Sequence, residues 1–474
     1  MTGGTGSSAL GADEGTTIAR NLADPPSGQD LLARELALES GDNHEIVPLI
    51  GGALGPSRFA PALTAITAGA LLLRVWYVLA YTRYQNHTLY DSFWYYGTTL
   101  GLHLGEFFRT PFSVSPTAAH PPMTTLLLAA GTFIIGLHGG TTSALLVMAL
   151  LGSAVVACVG LLGRSMAGPW VGLTAAILAA VAPSFWMPSG IMMSETPAML
   201  FMVLILLAVV HLLREPTVLA AVLLGVACGA EALTRAELIL FVPVLLIPAT
   251  LLVHTSLRRR LLLFGVALAA TTLVLAPWVG RNLATFTDPT YLSSGNGLVL
   301  LGANCPQTYS GPELGLWSVQ CAESARRAGD ESVQSSRDQR AAVQFIEHHV
   351  DRLPIVALVR IARVWDLYDP VQMADVEAGE GRPVIASLAG LGLYYFLLPF
   401  AVAGSVILRR RRIAQWFLLV PAAVVTLISA LFFALERFRA PFEVCLVVLA
   451  APAIVLLLQR LGGHGPSHSR GGLT

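Results

Sequence analysis

The sequence predicts an all-α polytopic membrane protein, and three observations carry that reading. Of 474 residues, 54% are hydrophobic and only 12% charged, where a soluble domain carries about 25% charged residues. Apolar runs close to the roughly 20 residues needed to cross a bilayer recur along the chain. Arginine clusters fall in the short loops between those runs, as the positive-inside bias of cytoplasmic loops requires. The net charge is zero, which speaks against nucleic acid as a partner. All 29 basic residues are arginine. That excludes lysine-based covalent chemistry and leaves the planar guanidinium as the permanent cation for holding phosphate.

Ten spans are read, at 60–81, 143–162, 170–188, 196–213, 217–233, 238–253, 261–279, 384–408, 413–435 and 442–458. Arg258-Arg259-Arg260, the cluster 409–412, Arg164 and Arg214 anchor cytoplasmic loops. The loops holding Asp91 and Glu195 and the segment 281–383 then lie outside, provided that the run 121–137 does not cross. That run opens on two prolines and is read as an interfacial helix in the first outer loop. Eleven spans remain the alternative, with one arginine cluster or the tail on the wrong side. The organisation that follows has five parts. Residues 1–55 read as a disordered cytoplasmic tail. Residues 56–280 form a transmembrane module with a first outer loop at 82–140. Residues 281–383 form a mixed outer domain of about 100 residues. The last spans lie within 384–460, and 461–474 read as a cytoplasmic tail. From 338 to 366 a helical apolar face is interrupted by Arg352, Arg360 and Arg363, a pattern that suits a helix lying along the membrane surface.

Several residues are placed for chemistry. Asp91 follows the first span by about ten residues; it can take the proton of an acceptor hydroxyl or cap the aromatic helix that starts at Ser92. Tyr95 shares its face one turn on. His120-Pro121-Pro122 offers a cation or neutral donor, or a plain helix start. Glu195 lies between two apolar helices, where a carboxylate is costly unless used or set at a helix N-terminus. Arg235, Arg281, Arg437 and Arg439 fall in loops read as outer, against the charge bias. An anion should compensate them, either a lipid phosphate or the neighbouring Glu237 and Glu436. Arg74, within the first span, snorkels outward or reaches the same phosphate. Cys305 and Cys321 lie in the outer segment, where a bridge is permitted. It would contribute about 3 kcal/mol and close a turn-rich loop that holds Trp317; two unrelated thiols are the alternative. Asp91, His120 and Glu195 suit several divalent ions, but no close-spaced ligand motif exists.

Taken in order from about 60 to 450, these motifs resemble those of the GT-C-type membrane glycosyltransferases. They are Tyr90-Asp91-Ser92, His120-Pro121-Pro122, Glu195, Pro277-Trp278-Val279-Gly280-Arg281-Asn282 and Arg437-Phe438-Arg439-Ala440-Pro441. That group includes protein O-mannosyltransferases and lipid A aminoarabinose transferases. The resemblance implies inverting transfer of one sugar from a polyprenyl-phosphate donor. The acceptor would be a hydroxyl of an envelope glycan, lipid or protein at the outer face of a bacterial cytoplasmic membrane. It implies Asp91 as general base with Glu195 beside it, and a donor-phosphate site of His120, Arg235, Arg281, Arg437 and Arg439. It also implies sugar or acceptor contacts at Tyr95 and Trp317. No cofactor is required, and a divalent metal is possible. Asp91 is followed by Ser92 where the mannosyltransferases usually show Asp-Glu, so the acceptor stays open. The competing class is a transporter or flippase of lipid-linked sugars; the absence of an internal repeat speaks against it.

Overall fold

The computed structural model describes residues 56–85, 90–111, 113, 115–137, 139–323 and 329–461. The tails read at 1–55 and beyond 461 lie outside the described residues. Among the described residues every regular element is helical, and the sole strand-like pairing is an isolated bridge between Arg109 and Pro116.

The chain opens with α1 (Pro56–Ala80). The first loop then carries α2 (Tyr90–His103) and α3 (Met123–Ile135). With 13 residues, α3 falls short of a span, in keeping with the non-crossing reading of 121–137. Its Thr124, Thr125, Leu128 and Thr132 are buried, so it packs against protein along one face. Two antiparallel helices follow, α4 (Thr141–Ala167) and α5 (Pro169–Val181). Gly163 and Gly172 bring their backbones into contact, for a Cβ on Gly163 would lie 3.0 Å from Gly172 Cα, the close approach that small residues permit in membranes. At Ala182-Pro183 the fifth helix breaks, and the helical run Pro183–Gly190 turns away by 72°. Pro183 cannot donate the hydrogen bond that would continue the helix.

After α6 (Glu195–Arg214) and α7 (Val218–Ala232), the expected span at 238–253 is fragmented. It runs as a 3₁₀ turn Ala236–Leu240, a π turn Val242–Leu246 and a short helix Ile247–Leu251. Pro243 and Pro248 each remove a donor there. Ser256 caps α8 (Leu257–Thr285) by accepting the Arg259 N–H.

Residues 286–383 contain short helices and turns, and no strand among the described residues; they are helical where a mixed domain was expected. The helix read at 338–366 is two helices, α9 (Glu331–His348) and α10 (Leu353–Val364). They are parted because Pro354 can begin a helix but not continue one. The arginines of α10 turn to backbone carbonyls. Arg360 donates to Ala303 O and Arg363 to Leu314 O and Pro312 O, while Arg352, just before α10, donates to Tyr309 O. They hold the loop closed by the Cys305–Cys321 disulfide. After α11 (Pro370–Gly379) the chain ends in α12 (Val384–Arg410), α13 (Trp416–Leu431) and α14 (Ala440–Leu461).

Among the described residues six helices are long and apolar enough to cross a membrane (α1, α4, α6, α8, α12 and α14, the first and last with their flanking turns), and the bent α5 pair would make a seventh. The remaining expected spans coincide with shorter or broken apolar helices. The buried core lies among α4, α5, α6 and α14. Arg74 turns inward from α1, donating to Ala70 O and Phe185 O and packing on Gly152. Neither snorkelling nor a phosphate contact fits that position.

Gly404 of α12 meets α14 so closely that a Cβ would lie 1.8 Å from Leu449 O, whereas a Cβ on Gly392 of the same helix meets open space. Gly404→Ala should therefore destabilise the detergent-solubilised protein by about 1–3 kcal/mol, while Gly392→Ala is neutral or mildly stabilising. Equal melting temperatures for the two variants would refute this account of α12–α14 packing.

Candidate active site

One guanidinium gathers the site. Arg437 lies on the 3₁₀ turn Glu436–Arg439 that leads into α14. Its Nη1 is 3.3 Å from Asp91 Oδ2 and 3.4 Å from Glu195 Oε1. Its Nη2 reaches the same Asp91 oxygen at 3.3 Å and Glu380 Oε1 at 3.4 Å. The Arg437 backbone N–H donates to Glu377 Oε1 at 3.1 Å. The side-chain contacts exceed the roughly 2.7–2.9 Å of a charge-assisted bond, because three acids share one planar fork. Arg382 stands behind it, 3.0 Å from Glu377 Oε2 and 3.6 Å from Glu195 Oε1.

Local structure explains why each acid is there. Asp91 lies in the first turn of α2 and Glu195 opens α6; both sit where a helix dipole favours an anion. Glu377 ends α11, and Glu380 and Arg382 follow in the turn that leads to α12. Exposure separates their roles. The Asp91 side chain is 36% exposed, against 2% for Glu195, 1% for Glu377 and 8% for Glu380. Asp91 is thus the most accessible of the four acids.

Burial pushes the Asp91 carboxyl up, but His120 and Arg437 outweigh it and hold it below the usual carboxylate range. It is ionised at neutral pH. Glu380 goes the other way, since burial lifts it to about 7 against the pull of Arg437 and Arg382. Among the described residues four carboxylates (Asp91, Glu195, Glu377, Glu380) face two guanidiniums here, so one acid that keeps its proton relieves the imbalance.

The predicted residues divide. His120 Nε2 lies 3.6 Å from Asp91 Oδ1, and its ring packs 4.8 Å from that of Tyr95. Tyr95 is buried and hydrogen-bonds Ser194, so it supports His120 from within. Arg235 pairs with Glu237 at 2.7 Å and lies over the Phe438 ring; its charge still acts on Asp91. Arg281 does not join the cluster. It donates to Phe108 O and Thr117 O and so braces the first loop. Arg439 is enclosed by Asp366, Glu436 and Glu443 and stacks on Tyr394, with no side of its fork left for a phosphate. Trp317 donates to Leu298 O and abuts Gly302, so its indole serves packing. The reading of the sequence missed Glu377, Glu380 and Arg382. They form a charged run directly before an apolar span, the same signal that singled out Glu195.

This arrangement defines a class, a helical membrane protein with an acid and cations assembled from loops at one end of its helices. Residues 119–279 match the sequence model of the dolichyl-phosphate-mannose-protein mannosyltransferase family. It is similar in fold to the Archaeoglobus fulgidus oligosaccharyltransferase in the apo form. The TM-score is 0.53 at 16% identity, with 86% of this chain and 51% of that one covered. The same archaeal enzyme tethered to an acceptor peptide containing the NVT sequon gives a TM-score of 0.50 at 16% identity, over 86% of this chain and 50% of that one. The chain thus spans about half the length of these enzymes. The apo ArnT of Cupriavidus metallidurans matches with a TM-score of 0.38 and 16% identity, over 84% of this chain and 78% of that one. No curated protein matches by sequence.

A carboxyl raised from 4.5 to about 7 favours the fold below that window, and its contribution is lost as pH rises through it. Glu380→Gln removes the titration. It should flatten the melting temperature against pH between about 4.5 and 7, and an unchanged slope would exclude Glu380 as its source.

Proposed function

We propose that the chain is an inverting glycosyltransferase. It moves one sugar from a polyprenyl-phosphate donor to a hydroxyl of an envelope glycan, lipid or protein, at the outer face of a bacterial cytoplasmic membrane. The observation that carries this reading is an ionised, partly exposed Asp91 set among His120, Arg235 and Arg437. The match of residues 119–279 to a family named for a dolichyl-phosphate sugar donor supports the choice of donor.

In this mechanism Asp91 accepts the proton of the acceptor hydroxyl as its oxygen attacks the anomeric carbon. The bond from that carbon to the phosphate oxygen breaks, and its electron pair stays with the leaving polyprenyl phosphate. Preorganised cations at a developing charge contribute most in a site that excludes water. His120 and Arg437 are placed for that, with Arg235 acting through its field. Arg437 acts there through its charge, with its fork shared among Asp91, Glu195 and Glu380. Glu195 and Glu380 hold Arg437 from behind. Because guanidiniums supply the positive charge, the mechanism requires no metal ion or other cofactor.

Purified protein given polyprenyl-phosphate sugars and an envelope acceptor should release polyprenyl phosphate. A flippase would move the donor intact and release none. Asp91→Asn should lower turnover by about a hundredfold or more with an unchanged melting temperature; near-normal transfer by this variant would reject Asp91 as the base.

A further inference from the structure

His120 stands on a stretch of chain with no regular structure of its own. Residues 117–120 lie outside every helix, and Pro121 and Pro122 have no backbone N–H with which to anchor the turn that follows. Buried backbone groups in such a stretch must find partners elsewhere, and here the outer segment supplies them. Ala118 is fully buried. Its N–H donates to Glu331 Oε2 at 2.9 Å, and its carbonyl accepts the Ser294 N–H at 2.8 Å. The Ala119 carbonyl accepts the Ser293 hydroxyl at 2.7 Å. Gly295 lies so close that a Cβ there would be 2.7 Å from Ala119 O.

Glu331 is the first residue of α9, 213 positions beyond Ala118. An acid there has an ordinary explanation, the stabilisation of an anion at a helix N-terminus. Its reach says more. The Oε2 that takes the Ala118 N–H also accepts the Ser294 hydroxyl at 2.8 Å, so one carboxylate oxygen joins the first loop to the outer segment two residues before His120. The start of α9 is itself firmly seated. Asp330 accepts the Thr287 N–H at 2.9 Å and its hydroxyl at 2.7 Å, and Ser332 Oγ accepts the Asp288 N–H at 2.9 Å. His120 Nε2 lies 3.6 Å from Asp91, and a displacement of about 1 Å at such a group is enough to cost a large share of the rate.

We propose that Glu331 is a positioning residue for glycosyl transfer: its carboxylate holds residues 117–119 so that His120 stays beside Asp91 and faces the donor phosphate. The proposal rests on the transfer reading above. What the role requires of Glu331 is reach and an accepting oxygen, not charge.

The test uses the full chain in detergent, with polyprenyl-phosphate mannose for transfer and sugar-free polyprenyl phosphate for binding. Glu331→Ala removes the acceptor and should weaken polyprenyl-phosphate binding about 5–10-fold. Glu331→Asp keeps an anion at the start of α9 but is one methylene too short to reach Ala118. It should melt near the parent temperature and show the same loss. Glu331→Gln keeps the reach and an accepting oxygen, and should restore most of the binding and transfer. The decisive comparison is a double-mutant cycle: in a His120→Ala background, Glu331→Asp should cost nothing further, because a residue that acts through another is not additive with it. Equal losses in both backgrounds, or a Glu331→Asp variant that binds like the parent, overturn the positioning role. Binding of polyprenyl phosphate that does not depend on His120 overturns it as well. If the parent binds polyprenyl phosphate but transfers no sugar, the transfer reading fails, and the binding cycle still decides whether Glu331 acts through His120.

Discussion

The structure turns on the need to neutralise acids that three distant segments bring together. Asp91, Glu195 and Glu380 come from the first loop, the start of α6 and the turn before α12, and they meet at the guanidinium of Arg437. Buried carboxylates without a counter-ion would be prohibitive in the low dielectric of a helix bundle. The arginine therefore ties the first loop and the turn before α12 to the start of α6. The order that holds the fold together also keeps the acid at the exposed edge of the junction ionised beside fixed cations.

The same device recurs away from that junction. Arg439 joins α14 to Asp366 after α10 and to Tyr394 on α12. Arg360 and Arg363 of α10, with Arg352 beside it, cap backbone carbonyls of the disulfide-closed loop. In each case a planar fork satisfies several acceptors that an irregular, half-buried segment cannot satisfy within itself. A chain without lysine is well suited to this, because a compact ammonium offers no such planar array.

Proline sets where the helices give way, and those breaks frame the site. Pro183 and the bend after it open the space that Ser184 and Pro188 line. Pro243 and Pro248 fragment the stretch after Arg235 and Glu237. Irregular backbone at such depth is tolerated only where protein or a cavity covers it, which is how the broken run Pro183–Gly190 is placed.

By itself the sequence determined the helical membrane class, the positions of most helices, the short first-loop helix at 123–135, the half-cystine pair and the candidacy of Asp91, His120, Glu195 and Arg437. These follow from apolar length, charge bias and the cost of a charge beside a bilayer, all properties of local composition. Only the tertiary structure decided which charges meet. Arg437 and Arg439 are two residues apart, yet one gathers Asp91, Glu195 and Glu380 and the other Asp366, Glu436 and Glu443. Arg281, legible as an outer cation, turns to carbonyls of the first loop. Glu377, Glu380 and Arg382 join from some 290 residues beyond Asp91. Pairing of this kind depends on which helix faces close against one another, and no local pattern of residues encodes that.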